Sequence, residues 1–413
     1  MSTLPLLARQ PIFNQKLEVI GYELLNRNPS FDLSSTAGQD SATGDVLLNA
    51  FTELPINEVV GKHYAFINFS KRLLKEPLAF PRQQLVIEVL EGQKIDSAML
   101  HSLKVLREQG YIIALDDFTL TDETECLLAY ADIVKLDVIA LSPEKLKYHV
   151  DELSVYGIEL LAEKIETYEV FEHCKNLGFH YFQGYFLSRP EIIHGKKLTE
   201  NRQSLLQLLS VLHDPNAPVD KIELLIASDA LLSFKLLRLI NSAAMSLERE
   251  VDSLRQAILL LGINRLRTWI NLLALSNLGG KPQELSILAL TRARTCELLG
   301  NRVANKTERE AVHADGFFTV GLLSTLDAFL DMSSIEIVEN LAIRQSLKEA
   351  LLGKDNIEGT ILKLVKSHEQ GEWSLIDWPA VNQLSLTPEM VTEDYIAAIS
   401  WVNEIMDGVS KHL

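Results

Sequence analysis

The sequence predicts an eight-stranded (β/α)8 barrel followed by an all-helical domain. A length of 413 residues exceeds one ordinary hydrophobic core. Up to about residue 190, short apolar runs alternate with amphipathic segments, whereas the apolar spacing after residue 202 is helical throughout. We therefore predict the barrel at residues 1–195 and the helical domain at residues 202–413.

Eight short apolar runs in the first half have the length and composition of strands. They lie at residues 6–10, 19–25, 65–69, 85–90, 112–116, 133–136, 159–163 and 182–186. Helical patterns at residues 45–59, 97–109 and 167–177 separate some of them, and Gly178 is placed to end the last. Alternating strands and helices indicate a parallel sheet, and eight units favour closure into a barrel.

The composition of the chain excludes several classes of function. A hydrophobic fraction of 47% with 23% charged residues is typical of a globular protein, and the net charge of −17 opposes binding to long DNA or RNA. Cys126, Cys174 and Cys296 form no paired motif, which argues against a disulfide framework or a zinc site. Because neither a signal peptide nor a membrane-length apolar segment is evident, we expect a soluble, cytoplasmic protein without membrane contact.

Polar residues recur near the carboxyl ends of the predicted strands. They are Glu23, Asn68, Glu88, Asp116, Asp117, Lys135, Glu163 and Gln183. A single acid at such a position is usually solvated or caps a helix. A recurrence on successive strands instead predicts one site, because these ends converge in a barrel and buried carboxylates need partners.

The stretch GYIIALDDFTLTDETE, residues 110–125, allows two interpretations. Its adjacent aspartates could collect metal ions, since neighbouring carboxylates repel each other unless a cation or proton intervenes. Alternatively, the stretch could cap a helix, because Asp122 and Glu125 have the capping spacing. The residues leave both interpretations open.

Residues 4–190 contain, in this order, the segments RQPIFNQKLEVIGYELLNR, FINFS, LVIEVLE, LDDF, VKLD, LLAEKIET and YFQGYFLSRP. In sequence and in order, these segments resemble the motifs of the EAL domain, a family of cyclic di-GMP phosphodiesterases with a TIM-like barrel. The signature triplet reads ELL here, and Lys164 stands where the family usually has glycine. The resemblance implies hydrolysis of cyclic di-GMP to linear pGpG with two Mg²⁺ or Mn²⁺ ions.

The resemblance also implies roles for individual residues. Glu23, Asn68, Glu88 and Asp116 would hold one ion, and Asp116 and Asp117 would hold the second. Lys135 would orient or help deprotonate the attacking water, while Glu163 and Gln183 would complete the network. Arg27 would meet a ligand phosphate and Gln10 would lie near a substrate base. An alternative is an inactive or weak barrel that serves as a receptor or scaffold, because Thr119 and Thr121 replace two loop glycines of active members.

The second half resembles the HDOD domain, an all-helical relative of HD phosphohydrolases, on the pattern of residues 226–275. Ser324 and Thr325 stand where such relatives place a His-Asp pair, and His213-Asp214 precedes Pro215 in a position that does not suit a ligand set. We therefore interpret this half as a metal-free regulatory or docking module for an unidentified protein. The two halves together resemble the EAL–HDOD (YuxH-like) proteins of bacterial signal transduction, and the EAL resemblance makes a homodimer possible.

Overall fold

The computed structural model describes residues 6–27, 56–75, 82–188, 281–306, 314–341 and 343–410, with isolated positions between 208 and 270. The chain divides into two compact units. The first unit contains residues 1–189, 367–376 and 387–392, and the second contains 190–366, 377–386 and 393–413. The sequence-based domain boundaries, 1–195 and 202–413, stay a prediction.

Eight strands of the first unit form a closed barrel in sequence order. They are β1 (Leu6–Asn14), β2 (Val19–Arg27), β3 (Tyr64–Phe69), β4 (Leu85–Val89), β5 (Ile112–Leu115), β6 (Ile133–Asp137), β7 (Glu159–Glu163) and β8 (Tyr181–Gln183). The predicted eight-stranded barrel is confirmed.

Strand β1 corrects the expectation of a wholly parallel sheet. It pairs antiparallel with both β2 and β8, whereas the pairs from β2 to β8 are parallel. The Asn14 side chain closes a tight turn by accepting hydrogen bonds from the backbone of Lys16 and Glu18, and Leu17 has a φ of 61°. Such a short connection can form only a hairpin, since parallel strands need a longer crossover.

An apolar layer fills the barrel and supports a polar layer above it. The apolar layer takes one residue from each of six strands: Ile12, Phe66, Val86, Ala114, Ile133 and Leu161. Side chains alternate between the two faces of a strand, so residues two positions away share the barrel interior. This period places Asn68, Glu88, Asp116, Lys135 and Glu163 directly beyond the layer, and Gln10 on the reversed β1.

Glycine makes room for this packing on β2. A Cβ at Gly21 would lie 2.6 Å from the Phe66 ring, so the ring occupies the space that a side chain would need. Glu23, two residues later, then belongs to the polar layer.

Four described helices accompany the strands of the first unit in residues 56–188. They are α1 (Ile56–Val60), α2 (Ser97–Glu108), α3 (Pro143–Leu153) and α4 (Tyr168–Leu177). The side chains of Asp96, Ser142 and Thr167 cap the last three, and Gly178, with a φ of 102°, ends α4. Most of the helix predicted at residues 45–59 lies outside the described residues.

Strand β8 is shorter and earlier than the predicted strand at residues 182–186. It ends at Gln183, directly before Gly184, which has a φ of 153° and lies so close to the backbone of Ile165 that any Cβ would overlap it. Backbone hydrogen bonds from Ile165 N to Gln183 O (3.0 Å) and from Phe186 N to Ile165 O (3.2 Å) fix this crossing.

After β8, the described residues contain helices and no strands. The helices are α5 (Gln283–Lys306), α6 (Ala314–Leu323), α7 (Leu326–Leu330), α8 (Ser334–Asn340), α9 (Gln345–Leu351), α10 (Ile357–Glu369), α11 (Trp378–Gln383) and α12 (Pro388–Ser410). Small residues allow α5 and α6 to pack closely: a Cβ at Gly321 would lie 2.6 Å from Ala293 Cα. The helices predicted between residues 202 and 275 lie almost wholly outside the described residues. None of the described helices has the length and apolar character to cross a membrane.

Candidate active site in the barrel

The ammonium group of Lys135 lies at the centre of the polar layer, among four carboxyl groups. Its Nζ is 2.6 Å from Asp116 Oδ1, 2.7 Å from Glu88 Oε1, 2.9 Å from Glu163 Oε1 and 3.2 Å from Glu23 Oε2. Both Lys135 and Glu88 are fully buried. Side chains from β2, β4, β6 and β7 and from the residue after β5 thus meet at one point, which we call the Lys135 cluster.

Three amide side chains extend the Lys135 cluster around Glu23. Gln183 Nε2 donates to Glu23 Oε2 at 2.6 Å and to Gln10 Oε1 at 3.0 Å. Asn68 Nδ2 lies 3.5 Å from Glu23 Oε1. Glu23 is therefore held from both sides, and the antiparallel β1 brings Gln10 next to Gln183.

Burial and mutual repulsion distinguish the four acids. Burial, reinforced by the charge of Glu23, raises the pKa of Glu88 well above its usual value. Burial also raises the pKa of Asp116, and it raises that of Glu163 to about 8 despite the nearby Lys135 charge. Burial opposes ionisation of Glu23 too, but Lys135 and the hydrogen bond from Gln183 lower its pKa overall.

Lys135 itself remains protonated in this arrangement. Burial disfavours the ammonium form, but the surrounding carboxylates outweigh burial and raise the pKa of Lys135 well above its usual value. One buried positive charge thus faces four acids, and the Lys135 cluster has more acidic groups than its ammonium can neutralise.

Several buried oxygens of the cluster have no hydrogen-bond donor among the described residues. They are Asn68 Oδ1, Glu88 Oε2, Glu163 Oε2 and Gln183 Oε1. Glu88 Oε1, by contrast, lies 2.7 Å from the ammonium of Lys135. An unmet buried acceptor is costly, and carboxylate and amide oxygens are the ligands that Mg²⁺ and Mn²⁺ prefer. These oxygens are therefore chemically suited to be ligands of a hard divalent cation.

Lys135 provides the counter-charge among these acids in the present arrangement. Within the described parts of the chain, no three His, Cys, Asp or Glu side chains form a ready-made cation cage. The conclusion that the site suits a cation therefore depends on the chemical type of its oxygens and on their burial.

Asp117 lies at the rim, beside a second lysine. Lys164 Nζ is 3.4 Å from Asp117 Oδ1 and 2.6 Å from Asp137 Oδ2. The Asp137 carboxylate is partly buried, and burial alone would raise its pKa. The hydrogen bonds from Lys164 and from two backbone N–H groups outweigh burial and lower the pKa of Asp137 overall. The sequence-based site omitted Asp137 and gave Lys164 no role. The available signals were the VKLD segment and the replacement of the family's glycine.

The loop after Asp117 contradicts the capping interpretation of the 110–125 stretch. Asp122 begins no α-helix, and the short 3-10 helix Glu125–Leu127 has Thr124 at its N-cap without a side-chain cap. Threonines close the loop instead: Thr124 Oγ1 donates to Thr119 O at 2.7 Å and accepts from Thr121 N at 2.9 Å. Local hydroxyl bonds of this kind compete with helix formation. Asp116, by contrast, joins the Lys135 cluster.

Other predicted residues have separate outcomes. Arg27 ends β2 opposite Leu6, but its side chain lies outside the described residues, as do His213 and Asp214. Ser324 accepts a hydrogen bond from Arg292 Nη1 at 3.0 Å and donates to Gly321 O at 2.7 Å. Thr325 donates to Leu322 O at 2.8 Å. Both hydroxyls therefore satisfy local helix and side-chain groups.

Comparison with protein families identifies both halves. Residues 39–190 match the EAL domain, and residues 198–369 match the HDOD domain. The EAL match begins after β1 and β2, although these two strands complete the barrel.

Two relatives are similar to this chain over nearly their full length. YuxH of Bacillus subtilis is 34% identical over 412 residues, which cover 97% of this chain and 98% of YuxH. CdgJ of Vibrio cholerae, named a cyclic di-GMP phosphodiesterase, is 33% identical over 404 residues, covering 96% and 92%. A standalone EAL protein of Vibrio cholerae solved with cyclic di-GMP is 22% identical, with a TM-score of 0.37, covering 45% of this chain and 91% of that one. The chain belongs to the EAL–HDOD family to which YuxH and CdgJ also belong.

Proposed function

We propose that this chain is a phosphodiesterase that hydrolyses cyclic di-GMP to linear pGpG with a divalent cation. The observation that carries the proposal is the Lys135 cluster, where four acids and several unmet oxygens gather around one ammonium. CdgJ, similar over nearly the full length, is named for this activity. Because a phosphodiester is anionic, an acidic site can bind it only when cations offset the negative charge of the carboxylates.

The oxygens of the site would hold Mg²⁺ or Mn²⁺. Glu23, Asn68, Glu88 and Asp116 would bind one ion, and Asp116 and Asp117 the second. Such ions lower the pKa of bound water and neutralise charge on the phosphate. The burial of Glu23 and Glu88 supports this assignment, since buried carboxylates need a cation or a proton as partner.

Protons would be handled by Lys135 and Glu163. Lys135, whose pKa is raised, is suited to orient a nucleophile by donating a hydrogen bond and is poorly suited to act as a base. Glu163 has a pKa of about 8 and so changes protonation near neutral pH, as a general acid or base requires. Gln183 holds Glu23 in place, while Gln10 and Arg27 would contact a substrate base and phosphate.

The helical half would regulate the barrel or recruit a protein partner. Its Ser324 and Thr325 hydroxyls are engaged in local hydrogen bonds, which supports a module without phosphohydrolase chemistry at that position. We further propose that the chain can form a homodimer and that its domains divide near residues 195–202.

A second candidate is a receptor or scaffold that binds cyclic di-GMP without turnover. The observation in its favour is the rim, where Lys164 pairs with Asp117 and threonines close the following loop. The distinction requires an assay of the full chain with cyclic di-GMP and Mn²⁺ or Mg²⁺, followed by chromatography of the products. We expect pGpG to form and EDTA to stop its formation. Saturable nucleotide binding without product at high enzyme concentration would establish the receptor instead.

A further inference from the structure

Lys164 occupies a backbone position that side chains rarely adopt. It follows Glu163 at the end of β7 and has a φ of 61°. A left-handed conformation costs a non-glycine residue free energy, and such strain concentrates at functional sites. The lysine is therefore held where glycine would be the unstrained choice.

The ammonium of Lys164 reaches two acids of neighbouring strands at the rim. It lies 2.6 Å from Asp137 Oδ2 at the end of β6 and 3.4 Å from Asp117 Oδ1 just after β5. Asp117 also has a left-handed backbone, with a φ of 42°. Two strained residues thus meet through an ion pair beside the Lys135 cluster.

The contact with Asp137 holds the Lys164 ammonium at the rim but leaves it free to move relative to Asp117. Asp137 is mostly buried, and its Oδ1 accepts hydrogen bonds from the backbone N–H groups of Ile139 (2.8 Å) and Ala140 (3.0 Å), which hold the carboxylate in place. The Lys164 side chain, however, remains 51% exposed. Its ammonium can therefore weaken its longer contact with Asp117 without losing its shorter contact with Asp137.

We infer that Lys164 is a positioning residue whose ammonium competes with a divalent cation for the carboxylate of Asp117. The inference rests on the proposed cation site. Two positive charges beside one carboxylate repel each other, so the cation must work against the ammonium that already partly neutralises Asp117. Lys164 would then set the concentration of Mn²⁺ or Mg²⁺ that the site needs.

Calorimetric titration of the full chain with MnCl₂, without nucleotide, tests this inference. Lys164→Gln removes the charge but keeps the Cβ and hence the backbone strain, and we expect it to lower the Kd for Mn²⁺ by roughly three- to tenfold. Lys164→Arg should stay near the wild type. The matched control is Lys147→Gln, which removes an exposed ion pair with Asp151 on α3 and should change nothing.

A double-mutant cycle identifies the carboxylate involved. If the ammonium acts through Asp117, Lys164→Gln should have no further effect on Mn²⁺ affinity in an Asp117→Asn background. Thermal unfolding establishes that each variant is folded. Should Lys164→Gln fail to fold, Lys164→Asn serves instead, because asparagine tolerates the left-handed region.

The outcomes separate the inference from the proposed function. Unchanged or weaker Mn²⁺ binding by Lys164→Gln, alongside clear binding by the wild type, would overturn the competition and leave the cation site intact. If neither the wild type nor Lys164→Gln binds Mn²⁺, the cation site itself fails. Binding by Lys164→Gln alone would support the competition in its strongest form.

Discussion

Lys135 Nζ lies 2.7 Å from Glu88 Oε1, and neither side chain has any exposed surface. The pair sits among three further acids, so Lys135 is at once a structural counter-ion and a component of the proposed chemistry. Removal of one member of a buried charge network leaves the others uncompensated.

Glu23→Gln should lower turnover of cyclic di-GMP by at least about a hundredfold, since the substitution removes a charge from the proposed cation site. Glutamine keeps the size of the side chain, so the fold should persist. Product formation is measured at saturating Mn²⁺. The control is Glu18→Gln in the β1–β2 turn, where the exposed carboxylate accepts a hydrogen bond from Asn14. Full activity in Glu23→Gln would contradict the assignment.

Lys135→Met should destabilise the protein by about 3–5 kcal/mol near neutral pH, because it leaves buried acids without their ammonium. The loss should grow as pH rises from about 4.5. The pKa values of Glu88 and Glu163 are higher in the folded state than in the unfolded state. Above about pH 4.5 the unfolded chain releases these protons more readily, so the free energy of unfolding falls as pH rises. Denaturant unfolding at several pH values measures this.

The control for this prediction is Lys104→Met, which removes an exposed pair with Glu108 on α2. It should cost less than about 1 kcal/mol at every pH. Equal, pH-independent losses in both variants would show that the Lys135 charge does not stabilise the cluster.

Gly184→Ala should destabilise the barrel by about 3 kcal/mol or more, because its Cβ would overlap the Ile165 carbonyl at a left-handed φ. The overlap would also displace Gln183, and turnover should therefore fall in the fraction that remains folded. Gly157→Ala is the matched control. Gly157 also has a positive φ, of 67°, but a Cβ there would have no atom within 4 Å. Only the cost of backbone strain, about 1 kcal/mol, is therefore expected. Thermal unfolding that ranks the two equally would refute the steric argument.

His368 should make stability depend on pH. It is fully buried in the first unit, and burial lowers its pKa to about 4 although Nε2 donates to Leu7 O at 2.9 Å. Because the folded pKa is below the unfolded value of about 6.5, the unfolded state binds the proton more readily. Stability from this group is complete above pH 6.5 and falls by up to about 3 kcal/mol as pH drops to 4.

The variant His368→Gln should lack this part of the acid slope in denaturant unfolding between pH 7 and pH 4. The control is His101→Gln on α2, whose exposed side chain is free of such burial and should leave the slope as in the wild type. An unchanged slope in His368→Gln would contradict the assignment.

The sequence by itself predicted eight strands and most of the polar residues that the structure brings together around Lys135. Strand side chains alternate with a period of two, so the polar residues that follow apolar positions could be assigned to one interior layer from local pattern alone. The EAL and HDOD resemblance predicted from the motifs is also confirmed. The ligand roles within the site stay predictions.

The tertiary structure decided which groups face one another. Glu23 and Lys135 are 112 positions apart, and Gln10 and Gln183 are 173 apart, so no local pattern specifies their contacts. The antiparallel β1 followed from a tight turn, and the threonine-closed loop from hydroxyl bonds that a capping pattern does not reveal. The ion pair of Lys164 with Asp117 likewise exists only because closure of the barrel brings the ends of β5, β6 and β7 to a common rim.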